Sequence, residues 1–335
     1  MLPIVGVPMI ERVLTHLDRH GIDEAVLSLG YLPDAFMGAY PSGIVSGVQV
    51  VYAVEPEPRD TAGAIRFAAD YAGIEETFVV VNGDVLTDLD LTRLIAFHRE
   101  RGAQGTISLH PVPDPSSFGV VPTREDGSVV EFVEKPSRDE APTNQINAGT
   151  YVLEPSVLER IPKGRRVSIE RETFPHLAKD GRLFALSDDS YWLDTGTPAA
   201  YMQAHRDYLA GRRGSSEPVS GSRLVEGNVW ISGSASLEGD VNGDCWLGEG
   251  ASVAEGATVE SSVVGPRSRV EAGAVVKNSI LLEDVRVAPN ASVDDSILGS
   301  GSTVGERCDV RGLSIVGAGV VLPSGTVTDG ERIPG

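Results

Sequence analysis

The sequence predicts an α/β domain with a mostly parallel sheet, followed by a left-handed parallel β-helix, and three observations carry that reading. Helical and strand patterns alternate through the first two-thirds of the 335 residues. The apolar run Phe78-Val79-Val80-Val81 stops at Asn82-Gly83-Asp84. In the last third, an apolar residue recurs every six positions.

Taken in order, Ile10, Val13, Leu14 and Leu17 keep helical spacing after Pro8, which suits a first turn, and Gly21 ends that helix. Strand 24–30, strand 48–54, helix 61–72, strand 77–81, helix 91–101 and strand 104–110 follow. A helix that feeds a strand within a few residues is the middle of an α/β unit, so helices covering a mostly parallel sheet is the economical architecture. Four apolar residues at 78–81, three of them β-branched, read as a strand buried on both faces. Asp84 then lies at the carboxyl end of a central strand, where open α/β sheets bind ligands. From 118 to 153 short strands are predicted at 118–122, 129–133 and 146–153. A helix over 168–180 opens at Ser168, and Tyr191-Trp192-Leu193-Asp194 leads into a last helix at 198–210. Residues 211–218 have linker composition, which divides the chain into a domain at 1–210 and a second at 219–335.

The second domain is periodic. Leu247, Val253 and Val259 are six apart, and the triplet recurs as Val264, Val270, Val276; Leu281, Val287, Val293; Leu298, Val304, Val310; and Ile315, Val321, Val327, each seventeen residues on. This is a hexapeptide repeat, in which every coil carries three short strands and stacks one inward apolar residue per face. Val225, Ile231, Leu237 and Val241 read as a less regular first coil.

Composition narrows the functions. A net charge of −20 opposes binding to nucleic acid or to an anionic membrane, and no apolar run reaches the roughly 20 residues of a membrane span. A cytoplasmic protein is expected. Cys245 and Cys308 lack metal-ligand or redox spacing and read as small buried residues. All six histidines precede residue 211, which argues against a β-helix acyltransferase that would need a histidine base.

Asp84 and Asp194 share one context, a carboxylate ending an apolar run beside a glycine, and two such groups converging on a cleft suit Mg²⁺ bridging phosphate oxygens. Each has a plain structural alternative. Asn82-Gly83-Asp84 is also good turn sequence, and Asp194 could cap the helix after Thr195-Gly196-Thr197-Pro198. Lys135, one of only four lysines, ends a strand as a candidate phosphate partner. Asn147-Ala148-Gly149 suits either sugar hydroxyls or a tight bend. Thr61-Ala62-Gly63 opens a helix with small residues, for close approach of a base or phosphate, or for packing on the sheet.

The stretches PRDTAGAI (58–65), VVVNGDVLTD (79–88), FGVV (118–121), FVEKP (132–136), INAGTYVLEP (146–155), SIERETFP (168–175) and YWLDTGTP (191–198) together resemble the sugar-1-phosphate nucleotidyltransferases. The resemblance implies a Rossmann-like nucleotidyltransferase domain over about residues 1–210 and a β-helix like that of the longer members. It also implies Mg²⁺-dependent attack of a sugar 1-phosphate on the α-phosphate of a nucleoside triphosphate, releasing pyrophosphate. Carried over by position, Asp84 and Asp194 hold the metal and Lys135 pairs with the sugar phosphate. Glu134, Asn147 and Gly149 read sugar hydroxyls, Gly119 lines the sugar pocket, Gly83 contacts substrate, and Thr61, Ala62 and Gly63 lie near the base. The β-helix is expected to serve oligomer contacts, giving a homo-oligomer, or regulation.

Two departures stand out. Arg59-Asp60 replaces the family's common Leu-Gly before Thr-Ala-Gly, which leaves the base open. The glycine-rich GxGTR loop and Pro-Lys that the family places ahead of residues 2–9 are not in this sequence, so the expectation is a late-called start or a truncated gene, and little activity for the chain as numbered. The β-helix and the Ile-Asn-Ala-Gly stretch look most like mannose-1-phosphate guanylyltransferases. A glucose-1-phosphate thymidylyl- or uridylyltransferase is the runner-up, and a non-catalytic sugar-nucleotide-binding subunit the alternative from another class.

Overall fold

The computed structural model describes residues 2–213, 219 and 221–335. They form two compact units, residues 9–192 and residues 2–8 together with 193–335. The division by contacts thus falls earlier than the division by composition, and residues 214–218 of the expected linker lie outside the described residues.

In the first unit the α/β alternation holds. Strand Glu24–Leu29 runs parallel to Val48–Val54, and Gly105–Pro111 runs parallel to Leu183–Ser187. The long strand Gln145–Leu153 is antiparallel to both Phe78–Val81 and Gly105–Pro111. Helices begin and end where local chemistry directs. Asp90 caps Leu91–Arg101 by accepting from the Arg93 N–H, and Gly102 closes that helix at φ +55°. The expected helix at 168–180 is instead a π-turn, Ile169–Thr173, continued by the α-helix Phe174–Lys179, with the Ser168 hydroxyl accepting from Arg171 N–H at its start. Two apolar clusters fill the unit. One gathers Ile107, Leu153, Phe174, Leu177 and Leu183, and the other Leu14, Leu17, Val50, Leu91 and Leu94.

The run Phe78–Val81 is not buried on both faces, since all four side chains are only half-buried. Its one paired neighbour among the described strands is Gln145–Leu153, so its other edge lacks the cover that a central strand receives.

The second unit is the β-helix. Its strands stack in three sheets, two of them six-stranded, and all pairings are parallel except that of Arg223–Leu224 with Val229–Ile231. Leu247, Val253, Val259, Val264, Val270, Val276, Leu281, Val287, Val293, Leu298, Val304 and Val310 all point into one buried core. Each such side chain contributes about 1.5–3 kcal/mol on burial. One corner is polar but satisfied. Ser262, Ser279, Ser296 and Ser314 are buried; the hydroxyls of Ser262, Ser279 and Ser314 accept from Ser279 N–H, Ser296 N–H and Glu331 N–H, and the Ser296 hydroxyl donates to the Asp294 carbonyl. Cys245 occupies the rung before Ser262, whose N–H meets its sulfur, and burial raises its thiol pKa to about 11. Both cysteines are buried and free, as expected of small core residues.

The last coil departs from the expected register. Val316 and Leu322 are buried while Val321 and Val327 are 67% and 60% exposed, and Thr328 takes the third inward place. Leu298 pairs with Val316 and Val304 with Leu322, a spacing of eighteen rather than seventeen. The extra residue enters in the turn at Gly312-Leu313, where both residues have positive φ. In the first coil Ile231 is buried, whereas Leu237 is 37% exposed.

Residues 2–8 belong to this unit. Pro3–Ile4 and Val7–Pro8 form a hairpin whose two turn residues, Val5 and Gly6, have φ of +45° and +72°. Tyr201 donates its hydroxyl to the Pro3 carbonyl, Val5 N–H donates to His205 Nδ1, and Gly6 lies so close to Trp246 that a Cβ would run into the indole. Helix Pro198–Leu209 also reaches the coils, through Arg206 to Asp295 and through the Leu209 carbonyl to Asn228.

Candidate active site

In the first unit the candidate residues gather around a β-bulge. The pairing of Gln145–Leu153 with Gly105–Pro111 shifts register between Asn147 and Tyr151, which leaves Ala148, Gly149 and Thr150 out of that ladder. Polar groups in and beside the bulge find partners. Gly149 N–H donates to Asn147 Oδ1 at 3.0 Å, and Asn147 Nδ2 donates to the Tyr151 hydroxyl at 2.9 Å. The Ala148 carbonyl accepts from Trp192 Nε1, and the Gly149 carbonyl from Asn82 N–H, both at 2.9 Å. Tyr151 itself is buried edge-on against Phe174, and burial, with the Glu170 carboxylate nearby, raises its pKa.

The bulge sets the Asp84 turn. Gly149 has φ +75°, and a Cβ there would sit 2.6 Å from Asn82 Nδ2, so glycine is what lets Asn82 close against it. Gly83 follows with open space on its side-chain face, and Asp84 comes next. The local reason for the turn and the candidate role of Asp84 are therefore compatible, because Asn82 and Gly149 make the turn.

Gly119, Glu134 and Lys135 come together on the pair Gly119–Val120 and Val133–Glu134, where Gly119 is directly opposite Glu134. A Cβ on Gly119 would meet Phe132 at 2.5 Å and Glu134 Oε2 at 3.2 Å. Lys135 has φ +47°, a left-handed conformation that costs a non-glycine residue about 1–2 kcal/mol, and its N–H donates to the Phe118 carbonyl. Strain of this kind collects at functional sites, and here it carries the one lysine of the motif onto an exposed turn. Arg171, on the π-turn, approaches Glu134 at 3.8 Å.

The environment adds residues that motif reading left unassigned. His110 stacks on Trp192, with ring centres 5.4 Å apart, and Phe118 meets the same indole edge-on. Burial lowers the His110 pKa, and its Nδ1 lies 3.2 Å from the Asp188 carbonyl. Nothing in the spacing of His110 marks it, since it ends an otherwise ordinary strand.

For Thr61, Ala62 and Gly63 the packing alternative is what the geometry supports. Ala62 is fully buried, and the Ala62 and Gly63 N–H groups both point at the Val167 carbonyl. A Cβ on Gly63 would lie 2.6 Å from the Arg165 carbonyl oxygen. These amides are occupied by the protein itself, so the expected contact of Ala62 and Gly63 with a base is not supported. Thr61 remains at the edge, with its hydroxyl donating to Glu170.

Asp194 belongs to the second unit and ends strand Trp192–Asp194. Its Oδ1 accepts from Gly196 N–H at 2.8 Å, while Thr197 supplies the helix cap by accepting from Ala200 N–H. The capping role once open to Asp194 is thus taken. Among the described residues no three His, Cys, Asp or Glu side chains gather as a metal cluster, and no helix is long and apolar enough to cross a membrane.

Comparison with known proteins decides the family. The family model described as "Nucleotidyl transferase" matches residues 1–211, and the "GMPPB C-terminal domain" matches residues 241–334. The chain belongs to the nucleotidyl transferase family. It is 38% identical over 278 residues to the mannose-1-phosphate guanylyltransferase of Mycobacterium tuberculosis, covering 81% of this chain and 75% of that protein. It is 36% identical over 265 residues to mannose-1-phosphate guanylyltransferase 1 of Arabidopsis thaliana, covering 76% and 70%. With the UTP–glucose-1-phosphate uridylyltransferase of Synechocystis the figures are 32% over 303 residues, covering 81% and 78%. Among solved structures, HddC from Yersinia pseudotuberculosis superposes with a TM-score of 0.55 at 29% identity, covering 62% of this chain and 88% of HddC. A second HddC structure, at a TM-score of 0.53 and 28% identity, is complexed with GMP-PN and covers the same shares of the two chains. This nucleotidyltransferase is therefore a transferase enzyme with a C-terminal β-helix, as its motifs and its repeat predict.

Proposed function

We propose that the chain transfers a guanylyl group from GTP to mannose 1-phosphate, giving GDP-mannose and pyrophosphate. The observation that carries the reading is the 38% identity to a mannose-1-phosphate guanylyltransferase over 278 residues. The match to the GMPPB C-terminal domain extends the likeness into the β-helix.

The residues divide the work by chemistry. Phosphoryl transfer of this kind needs its reactants aligned and their charge neutralised, more than it needs covalent help. Lys135, projected by its left-handed turn, pairs with the phosphate of mannose 1-phosphate and brings one of its oxygens to the α-phosphorus of GTP. Glu134 and the groups that Asn147 does not spend within the bulge accept and donate to sugar hydroxyls. Gly119 and Gly149 keep that wall free of side chains, and Gly83 does the same beside Asp84. Asp84, in the turn after strand Phe78–Val81, and Asp194, at the end of strand Trp192–Asp194, are oxygen donors of the type a hard divalent cation takes, so both fit Mg²⁺ chemically. When bound, Mg²⁺ supplies neutralisation of phosphate charge.

A second reading, uridylyl transfer to glucose 1-phosphate, draws on the Synechocystis relative at 32% identity. Calorimetric binding of GDP-mannose, UDP-glucose and dTDP-glucose, run beside pyrophosphate release from matched substrate pairs, separates the two. GDP-mannose binding at least tenfold tighter than the others is expected. Preference for UDP-glucose would overturn the mannose assignment, and tight binding without turnover would make the chain a sugar-nucleotide-binding subunit.

A further inference from the structure

Three departures from regular backbone meet at one seam of the first unit. Asp60, the first residue of helix Asp60–Ala72, has φ +60°. That helix starts at Arg59 with no side-chain cap. Opposite it, residues 169–173 form the π-turn, closed by Phe174 N–H donating to the Ile169 carbonyl. Local irregularities of this kind are strained, and their clustering at one place needs a compensating set of bonds.

Those bonds are present. Val167 N–H donates to the Arg59 carbonyl, and the Val167 carbonyl accepts from Ala62 and Gly63 N–H, so a crossing backbone, together with Asp60 Oδ1 accepting from Thr61 N–H, satisfies the helix start that the Arg59 side chain does not cap. Ile169 N–H donates to Thr61 Oγ1 at 2.8 Å. Glu170 then closes the seam. A single carboxylate oxygen, Oε2, accepts from the Thr61 hydroxyl at 2.8 Å and from the Ser168 hydroxyl at 2.7 Å. The next residue, Arg171, is the one that approaches Glu134. One short turn therefore touches both the helix start and the strand end that bears Glu134 and Lys135.

We infer that Glu170 is a positioning residue that locks the Thr61 end of the helix to the Ser168 turn, holding the base side and the sugar side of the site as one body. The inference rests on the proposed function for the assignment of Thr61 to the base side and Glu134 to the sugar side. Glu170 acts through its neighbours, because the oxygen it presents to the seam already serves two hydroxyl donors. Hydrogen bonds to a carboxylate are roughly twice as strong as neutral ones, so the charged side chain suits a lock between two segments distant in sequence.

The test uses the full chain and four variants, Glu170→Ala, Glu170→Gln, Thr61→Val and the double variant Thr61→Val/Glu170→Ala. Calorimetry with GTP, mannose 1-phosphate and GDP-mannose is expected to show Glu170→Ala weakening all three by about tenfold together, as loss of a positioning group does. Glu170→Gln keeps an acceptor oxygen and stays within about twofold of the parent. Thr61→Val, which also removes the acceptor of Ile169 N–H, weakens binding at least as much as Glu170→Ala, and the double variant falls well short of the sum of the two, since both cut the Thr61–Glu170 bond. Hydrogen exchange without ligand supplies an independent readout. In Glu170→Ala, residues 59–64 and 167–173 speed up together while residues 145–153 do not. Weakening of one ligand only, full additivity in the double variant, or exchange unchanged across the seam would overturn the lock. If the parent chain binds no nucleotide sugar, the proposed function falls, and the exchange comparison still decides whether Glu170 locks the seam.

Discussion

The β-helix and the first unit use backbone in opposite ways. In the β-helix, a repeating register puts one valine or leucine per face into a single core, and the buried Ser262 and Ser279 hydroxyls accept from N–H groups of the next coil. Its stability is close to a sum of similar rungs. In the first unit the candidate chemistry stands where regularity breaks: a bulge between Asn147 and Tyr151, a left-handed Lys135, and a π-turn at Ile169–Thr173. Repetition makes a rod of interchangeable parts, whereas a site needs particular atoms at particular places, and each irregularity aims one of them.

The sharpest way to break that contrast is at Lys135. Replacing it with alanine is expected to lower turnover by about 10²–10³-fold, the scale of losing one charge-stabilising group, with little change in melting temperature. Lys135→Gly, which suits φ +47°, should lose the same activity yet melt no lower than the parent, which separates the strain from the charge. Next comes Gly149→Ala. The added methyl meets Asn82 and the backbone is left-handed, so a loss of about 2–4 kcal/mol is expected, read by denaturant unfolding, together with weaker substrate binding.

The β-helix should answer differently. Leu322→Ala is expected to cost about 2–4 kcal/mol with no change in the affinity of the folded protein for nucleotide sugar, because Leu322 is buried in the stack. Val321→Ala, one residue away but 67% exposed, should stay within about 0.5 kcal/mol. The reverse order would restore the seventeen-residue register through the last coil.

The smallest effect is one of pH. His98 is buried, with Nδ1 on Thr106 Oγ1 and Nε2 on Glu154 Oε1, and one neutral tautomer satisfies both bonds. Burial holds its pKa below the ordinary 6.5. Burial also opposes ionisation of Glu154, yet bonds from Thr77 and His98 keep that carboxylate below its usual range, so it stays charged near neutrality. The unfolded chain therefore binds a proton that native His98 refuses. Stability is full above about pH 6.5 and declines as pH falls below it. Melting curves from pH 7.5 to 5.5 should show that slope in the parent and a flatter one in His98→Gln.

Much of this was legible in the residues. Twelve of the fifteen repeat positions point inward because a hexapeptide spacing leaves a coil no other way to bury them. The three that fail follow a single insertion at Gly312-Leu313, which a strict period of seventeen passes over because Ile315, Val321 and Val327 are themselves apolar. Asp84, Glu134, Lys135, Asn147 and Gly149 were found through motifs. Their arrangement was not, because the bulge depends on a register shift between distant strands and on the Trp192 bond to Ala148. Ala62 and Gly63 show the opposite error: small residues at a helix start signal close approach, and the sequence does not say whether a ligand or the Val167 backbone comes close.

The hairpin at residues 3–8 bears on how such proteins are recombined. It precedes the first long helix in the chain, yet it is fastened to Tyr201, His205 and Trp246. A β-helix exchanged between relatives at residues 211–218 would arrive with a foreign surface where Trp246 meets Gly6. Chimeras that also transplant residues 2–8 keep both sides of that fit, so the hairpin and the β-helix should be engineered as one unit.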